Sequence, residues 1–206
     1  YTKLTGRAPQ LPPRFAAEPY PVPQHFRAEL CALSESLSAS GNRELAEGGA
    51  LSRLIRAVEV FGWHLATLDL RQNADVHARV VAELLAVAGV TPDYQSLTEP
   101  ERVALLRREL GNQRLLASPY ASYSDETKSE LAIVYAAAKA HAEYGPESIR
   151  TYIVSRTEHV SDLLDVNILL KEAGLYRGHG EPSASILVVP LLETIGDLDQ
   201  AATMMR

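Results

Sequence analysis

Residues 63–77 decide the fold of this chain, and they read WHLATLDLRQNADVH. The first part alternates like a half-buried strand, with Leu68 and Leu70 on one face and Arg71 on the other. After Arg71-Gln72 the pattern becomes helical without a break. An arginine at the last strand residue, just before the turn into a helix, lies where α/β barrels hold their ligand-binding groups.

Two later apolar runs repeat this arrangement, at residues 149–156 and 185–192. The second run is almost continuously apolar, which is typical of a parallel strand buried on both faces. Helical patterns separate the strands, so they predict a parallel sheet with right-handed crossovers. A closed barrel needs about eight strands. The sequence therefore predicts an α/β fold, mostly helical by residue count, in which N-terminal helices precede the first three βα units of a (β/α)8-type barrel.

Apolar residues at helical spacing predict the remaining elements. The predicted helices cover residues 26–38, 49–61, 75–88, 98–110, 124–144, 161–174 and 196–205. Thr98 and Glu101 form a capping box at the start of the fourth helix, and residues 112–123 and 176–183 are predicted loops. The predicted organisation has three parts: an extended proline-rich connector (1–24), a helical segment packing on the barrel (25–61) and the partial barrel (62–206). The alternative for the connector is a proline-rich ligand for another protein.

The composition excludes several classes of function. The formal net charge of -6 does not provide the basic surface that nucleic-acid binding needs. No apolar run approaches the roughly 20 residues of a membrane span, so we predict neither nucleic-acid nor membrane partners. Cys31 is the single cysteine, which rules out an internal disulfide and fits a reducing compartment. The chain begins with Tyr1 rather than Met, so we expect it to be cut from a longer protein.

Arg71 and Glu193 are the residues best suited to chemistry. A strand-end arginine can hold a phosphate or carboxylate through its two-pronged guanidinium, although a salt bridge to Asp69 is an alternative. Glu193 directly follows the third strand, where a carboxylate can bind Mg²⁺ or Mn²⁺ or can oppose the dipole of the next helix. We expect the two side chains to open from the tips of neighbouring strands into one pocket.

Other polar residues are less well placed to form a binding or catalytic site. Arg156 ends the second strand, and its loop could line a site, although a surface turn is the simpler interpretation. His64 is interpreted as packed on the face of Leu68, and His77 as a capping or supporting residue. Cys31 is interpreted as a small buried hydrophobe. The remaining candidates are interpreted as turn, loop or capping residues: Ser155, Glu158, His159, Ser161, His179, Asp197 and Asp199.

Three blocks of sequence together resemble phosphoenolpyruvate carboxylases, in the family's order and at similar separations. The first block is FG at 61–62 followed by LDLRQ at 68–72 and His77. The second is YIVS at 152–155 followed by SDLL at 161–164 and LLKEAG at 169–174. The third is VPLLET at 189–194 followed by DL at 197–198. Each block is short, but the set is specific and covers nearly the whole chain.

The resemblance implies an enzyme that joins bicarbonate to phosphoenolpyruvate, giving oxaloacetate and inorganic phosphate with Mg²⁺ or Mn²⁺. It implies that Arg71 and Gln72 line the phosphoenolpyruvate site and that Glu193 is one of two carboxylate ligands of the metal. An arginine and a metal ion suit this reaction, because they stabilise the negative charge that develops on oxygen atoms. The resemblance also implies a cytoplasmic homotetramer regulated by metabolites.

The chain departs from the family pattern at several positions. Arg156 stands where methionine is frequent, Asp165 where a small apolar residue is common, and Asn73 where an acid is usual. The family's catalytic histidine precedes this stretch of chain, and its second metal carboxylate, a catalytic lysine and a glycine-rich loop follow it. We therefore expect no catalytic residue within 1–206 and no activity from the chain alone. Two other hypotheses stay open: another metal-dependent α/β-barrel lyase or aldolase, and a non-catalytic assembly segment.

Overall fold

The computed structural model of the chain describes residues 18–204, apart from the side chains at 200, 203 and 204. Within them the backbone divides into two units. The first contains the residues up to Thr67 together with Ala142–Ser148, and the second contains Leu68–His141 and the residues from Ile149 onward. Most of the predicted connector, 1–24, lies outside the described residues. The packing of residues 25–61 on a barrel stays a prediction.

The first unit is helical. Its main helices are α1 (Pro23–Ala39), α2 (Arg43–Gly48) and α3 (Ala50–Phe61). The first of these begins at a proline, which lacks the N–H that the first helical turn leaves unpaired. Arg27 forms an ion pair of 2.5 Å with Glu59, joining α1 to α3. Each helix buries one apolar residue: Leu30, Ala46 and Val58.

The second unit is built on a parallel sheet. The strands of this unit are β1 (Leu68–Asn73), β2 (Ile149–Ser155), β3 (Tyr176–Arg177), β4 (Ser183–Ala184) and β5 (Leu187–Pro190). The sheet contains β1, β2 and β5, with β2 in the middle and both pairings parallel. The short strands β3 and β4 form a separate antiparallel hairpin.

The helices of this unit share a buried core with the sheet. They are α4 (Ala74–Val87), α5 (Glu99–Gly111), α6 (Asp125–Tyr144, which belongs to this unit through His141), α7 (Val160–Glu172) and α8 (Ile195–Met204). Their apolar residues form one buried cluster with the sheet, and burying each large side chain contributes about 1.5–3 kcal/mol. Its fully buried members include Val80, Leu84, Leu106, Val134, Val166, Leu169 and Ile186. None of the helices in residues 18–204 combines the length and apolar character needed to cross a membrane.

The predicted α/β class and the parallel pairing of the three strands are confirmed, and each predicted helix is present. The capping box also forms, because the Glu101 carboxylate accepts the N–H of Thr98 at 2.8 Å. The start of β1 was predicted wrongly. Gly62, at φ +52°, opens a turn after α3, and the strand begins only at Leu68. His64 lies in that turn rather than on the strand face that carries Leu68.

The third strand also differs from its prediction. It covers residues 187–190 instead of 185–192. Leu187 is 66% exposed while Ile186 is fully buried, so the predicted burial on both faces is wrong. In the described residues β5 packs against β2 and α7, which makes its burial one-sided. Neither α2 nor the β3–β4 hairpin was predicted, because such short elements show too little periodicity in the sequence.

Candidate functional site

Arg71 joins the carboxyl ends of all three strands of the sheet. Its Nε atom donates a hydrogen bond of 2.8 Å to Oγ of Ser155, the last residue of β2. Its Nη2 atom lies 3.3 Å from Oε1 of Glu193, which follows β5. The Arg71 side chain is 59% exposed, so it is accessible to solvent. The site therefore combines an anchored cation with an accessible face.

The structure brings Arg71 and Glu193 together, as the sequence predicts, but not on neighbouring strands. The middle strand β2 separates β1 from β5, and the two side chains reach across its end. The carboxylate beside Arg71 is that of Glu193 and not that of Asp69. An exposed ion pair of this kind contributes at most about 1 kcal/mol, so a ligand could separate the two charges at small cost.

The turn between β5 and α8 positions Glu193. Asp197 accepts the backbone N–H groups of Glu193 and Thr194, both at 2.9 Å. Hydrogen bonds with Thr194, followed by the one from the Glu193 N–H, hold the pKa of Asp197 below its usual value. Asp197 is thus the capping acid of α8, as predicted. Because Asp197 fills this role, the Glu193 carboxylate is left to face Arg71.

Ser155 is a member of the site that the sequence indicated only as part of a turn. It is 3% exposed, and the strand around it is firmly held. The carbonyl of Val154 accepts both the Thr157 hydroxyl and the N–H of Leu191, each at 2.8 Å. In the parallel register Ser155 lies opposite Asn73 and thus on the same face as Arg71. The place of Ser155 in the site could have been predicted only from the register between β1 and β2.

Gln72 points away from Arg71. Consecutive strand residues face opposite sides of a sheet, and the Gln72 Nε2 atom donates a 2.9 Å hydrogen bond to Oε1 of Glu130 in α6. The other amide atom, Oε1, accepts the N–H of Asn73 at 3.0 Å. Glu130 is 6% exposed, and its second carboxylate oxygen is buried with no hydrogen-bond partner among residues 18–204. The structure therefore does not bring Gln72 and Arg71 together in one pocket.

His77 supports the core behind the sheet. Its Nε2 atom lies 3.0 Å from the hydroxyl of Tyr152, and the two rings meet edge to face. Burial lowers the pKa of His77 to about 4, against a weaker opposing effect of Asp75. Burial also raises the pKa of Tyr152. His77 is consequently neutral near pH 7, which agrees with the supporting role predicted for it.

The turn after β2 lines a separate cleft of about 540 Å³. Arg156 begins this turn with φ +58°, a conformation that costs energy in a residue with a side chain. The N–H groups of Glu158 and His159 both donate to Asp162 at 2.9 Å, and the Ser161 N–H donates to Glu99 at 3.0 Å. These local contacts fit a surface turn.

The other candidates from the sequence lie outside this site. His179 is exposed in the turn of the β3–β4 hairpin, and Asp199 is exposed in α8. Cys31 is half-buried and carries a free thiol.

Glu193 is suited to be one ligand of a divalent cation. Its carboxylate is 46% exposed and supplies the oxygen atoms that Mg²⁺ and Mn²⁺ prefer. Among residues 18–204, no three His, Cys, Asp or Glu side chains come together as a metal-binding group.

Comparison with known proteins identifies the family of the chain. The family model for phosphoenolpyruvate carboxylase matches residues 4–206. The phosphoenolpyruvate carboxylase of Aromatoleum aromaticum is 50% identical over 202 residues, which is 98% of this chain and 22% of that protein. The enzyme of Azorhizobium caulinodans is 51% identical over 187 residues, covering 91% of this chain and 20% of the relative. The enzyme of Mycolicibacterium paratuberculosis is 47% identical over 205 residues, with shares of 99% and 22%.

The chain thus spans about a fifth of the length of the curated relatives that it matches. The match runs through both units, including β1, β2 and β5, and therefore includes Arg71, Ser155 and Glu193. Identity near one half over almost the whole chain is far above what a shared fold alone requires. The chain belongs to the phosphoenolpyruvate carboxylase family.

Proposed function

We propose that this chain is the part of a phosphoenolpyruvate carboxylase in which β1, β2 and β5 begin the catalytic (β/α)8-type barrel. The whole enzyme joins bicarbonate to phosphoenolpyruvate and releases oxaloacetate and inorganic phosphate. The observation that carries the proposal is the meeting of Arg71 and Glu193 at the carboxyl ends of parallel strands. Family membership favours this function over another barrel lyase or an assembly segment.

In this proposal Arg71 binds the phosphoenolpyruvate anion. The guanidinium is charged at any physiological pH and can donate two parallel hydrogen bonds to a phosphate or carboxylate. Its Nε atom is already engaged by Ser155, so the ligand binds through the two Nη groups and displaces the Glu193 carboxylate, which lies 3.3 Å from Nη2. A cation at this place stabilises the negative charge that develops on the substrate oxygens during the reaction.

Gln72 contributes to the proposed substrate site from the other face of β1. Its amide links the strand to Glu130 of α6. This contact fixes the segment of backbone from which Arg71 projects. A role behind the strand fits the observed geometry better than direct contact with the ligand.

Glu193 is the proposed metal ligand within this chain, and Mg²⁺ or Mn²⁺ the proposed cofactor. A divalent cation bound there supplies Lewis-acid stabilisation of substrate oxygens. Glu193 itself holds its carboxylate at the mouth of the strands, where Asp197 fixes the backbone that carries it. The cytoplasmic location, the homotetramer and its regulation by metabolites are parts of the same proposal.

The test uses the full-length parent protein and measures oxaloacetate formed from phosphoenolpyruvate and bicarbonate with Mg²⁺. Arg71→Ala should raise the KM for phosphoenolpyruvate at least tenfold, because a charged hydrogen-bonding partner is lost. Arg79→Ala is the matched control, since Arg79 pairs with Asp75 and Glu126 in the same unit. Failure to form oxaloacetate, or equal effects of the two substitutions, would overturn the proposal. The isolated 206-residue chain should form no oxaloacetate.

A further inference from the structure

The hydrogen bond between Arg71 and Ser155 indicates a role for the serine. A long arginine side chain loses conformational freedom when it is fixed to a ligand, and this loss opposes binding. A partner that fixes the side chain beforehand removes part of this cost. The 2.8 Å hydrogen bond from Nε to Ser155 is the shorter of the two contacts that the guanidinium makes.

Ser155 is itself well placed for this role. It is 3% exposed, at the end of the central strand of the sheet. The Val154 carbonyl just before it receives hydrogen bonds from Thr157 and Leu191. Directly after it, Arg156 turns the chain sharply at φ +58°. The hydroxyl therefore has a fixed position, unlike Glu193, whose side chain is 46% exposed.

The direction of the hydrogen bond matters as much as its strength. With Nε bound to Ser155, the plane of the guanidinium is set and its two Nη groups are left for an anion, which displaces the Glu193 carboxylate 3.3 Å from Nη2. These are the groups that form the two parallel hydrogen bonds of an arginine–oxyanion pair. Losing the anchor would let the guanidinium rotate away from the orientation that receives an anion.

We propose that Ser155 is a positioning residue for Arg71, holding its guanidinium ready to bind the phosphate or carboxylate of the substrate. This inference rests on the proposed function, in which Arg71 binds phosphoenolpyruvate. Ser155 touches neither substrate nor metal in this proposal and acts only through the arginine.

The experiment uses the full-length enzyme with Ser155→Ala, alone and combined with Arg71→Ala. Ser155→Ala should raise the KM for phosphoenolpyruvate about tenfold while kcat changes less, because a hydrogen bond to a charged group is lost. In the Arg71→Ala background the same substitution should leave the KM unchanged, as a double-mutant cycle requires for a coupled pair. A purely structural role would instead lower kcat through a smaller folded fraction, equally in both backgrounds.

A second pair of variants separates the hydroxyl from side-chain shape. Ser155→Thr and Ser155→Val have almost the same volume, but only threonine keeps the acceptor for Nε. We expect the threonine variant to stay near the parent KM and the valine variant to resemble Ser155→Ala. Equal KM values for these two variants, or an unchanged KM in Ser155→Ala, would overturn the positioning role. An unchanged KM in Arg71→Ala alone would instead overturn the proposed function.

Discussion

The hydroxyl of Tyr94 donates a 2.8 Å hydrogen bond to Oδ1 of Asp165 inside the core of the second unit. Both residues are about 1% exposed, and Arg102 lies over the tyrosine ring. Burial raises the pKa of Asp165 from 3.8 to about 7, although the Tyr94 hydrogen bond acts in the opposite direction. This partner explains how an acid is accommodated in the core of the second unit.

Asp165 should make the stability of the protein fall as pH rises from about 4 to 7. In this window the folded state holds a proton on Asp165 that the unfolded state has released, so each rise in pH favours unfolding. The contribution is fully lost above pH 7. One pKa unit corresponds to about 1.4 kcal/mol, so we expect the free energy of unfolding to fall by roughly 2–4 kcal/mol in total. Urea denaturation at pH 5 and pH 8 measures it.

The control for this effect is Asp165→Asn, which keeps an oxygen acceptor for Tyr94 but cannot titrate. The change in unfolding free energy between the two pH values should be smaller in this variant than in the parent. The comparison is needed because Asp162 and Glu172 also have raised pKa values and His77 a lowered one. Identical pH dependence in the two proteins would show that Asp165 does not titrate in this range.

Glu193→Gln should weaken the metal dependence of the full-length enzyme. The amide keeps the size of the side chain but removes the negative charge that a divalent cation prefers. We expect the Mn²⁺ concentration for half-maximal activity to rise by about tenfold or more, as losing a ligand charge entails. Asp199→Asn, which removes an exposed acid from α8, is the control. Similar metal requirements in the two variants would contradict a ligand role for Glu193.

Gly178→Ala should destabilise the hairpin of β3 and β4. An added Cβ would lie only 2.3 Å from the carbonyl oxygen of Leu110 at the end of α5, and backbone must move to admit it. Overpacking of this kind costs about 1–3 kcal/mol. Gly111→Ala is the matched control, because a Cβ there meets no atom within 4 Å. Thermal unfolding of both variants would decide the matter, and equal melting temperatures would count against the predicted clash.

Gln72→Leu should reduce stability without a comparable effect on substrate binding. The substitution leaves the Glu130 carboxylate, which already has one unpartnered oxygen, without its amide donor. Leaving a buried acceptor unpaired costs about 1–3 kcal/mol. The melting temperature should fall, whereas the KM for phosphoenolpyruvate should rise less than it does in Arg71→Ala. A large rise in KM with unchanged stability would instead indicate direct contact of Gln72 with the ligand.

The sequence predicted those parts of the fold that rest on long periodic patterns. The helix at Asp125–Tyr144 and the strand at Ile149–Ser155 are examples, because many residues contribute to each pattern. The start of β1 was misplaced because His64 and Thr67 stand between apolar neighbours as in a strand, although the pattern at 63–67 is out of phase with Leu68 and Leu70. Alternation alone cannot separate a strand from a turn that buries part of its side chains.

The site was predictable only where position along a strand was enough. Arg71 and Glu193 follow from their places near strand ends, since parallel strands end at one edge of a sheet. The predicted end of β1 was wrong, because the strand continues past Arg71 to Asn73. Ser155 needed the register between β1 and β2, which depends on packing between residues about eighty positions apart. The direction of Gln72 also depended on a distant partner, Glu130 in α6.

The opposite orientations of Arg71 and Gln72 have a consequence for genetics. The two codons are adjacent, yet their missense alleles should fall into separate phenotypic classes. Changes at position 71 should yield normal amounts of a poorly active enzyme, whereas changes at position 72 should lower cellular abundance and respond to growth temperature.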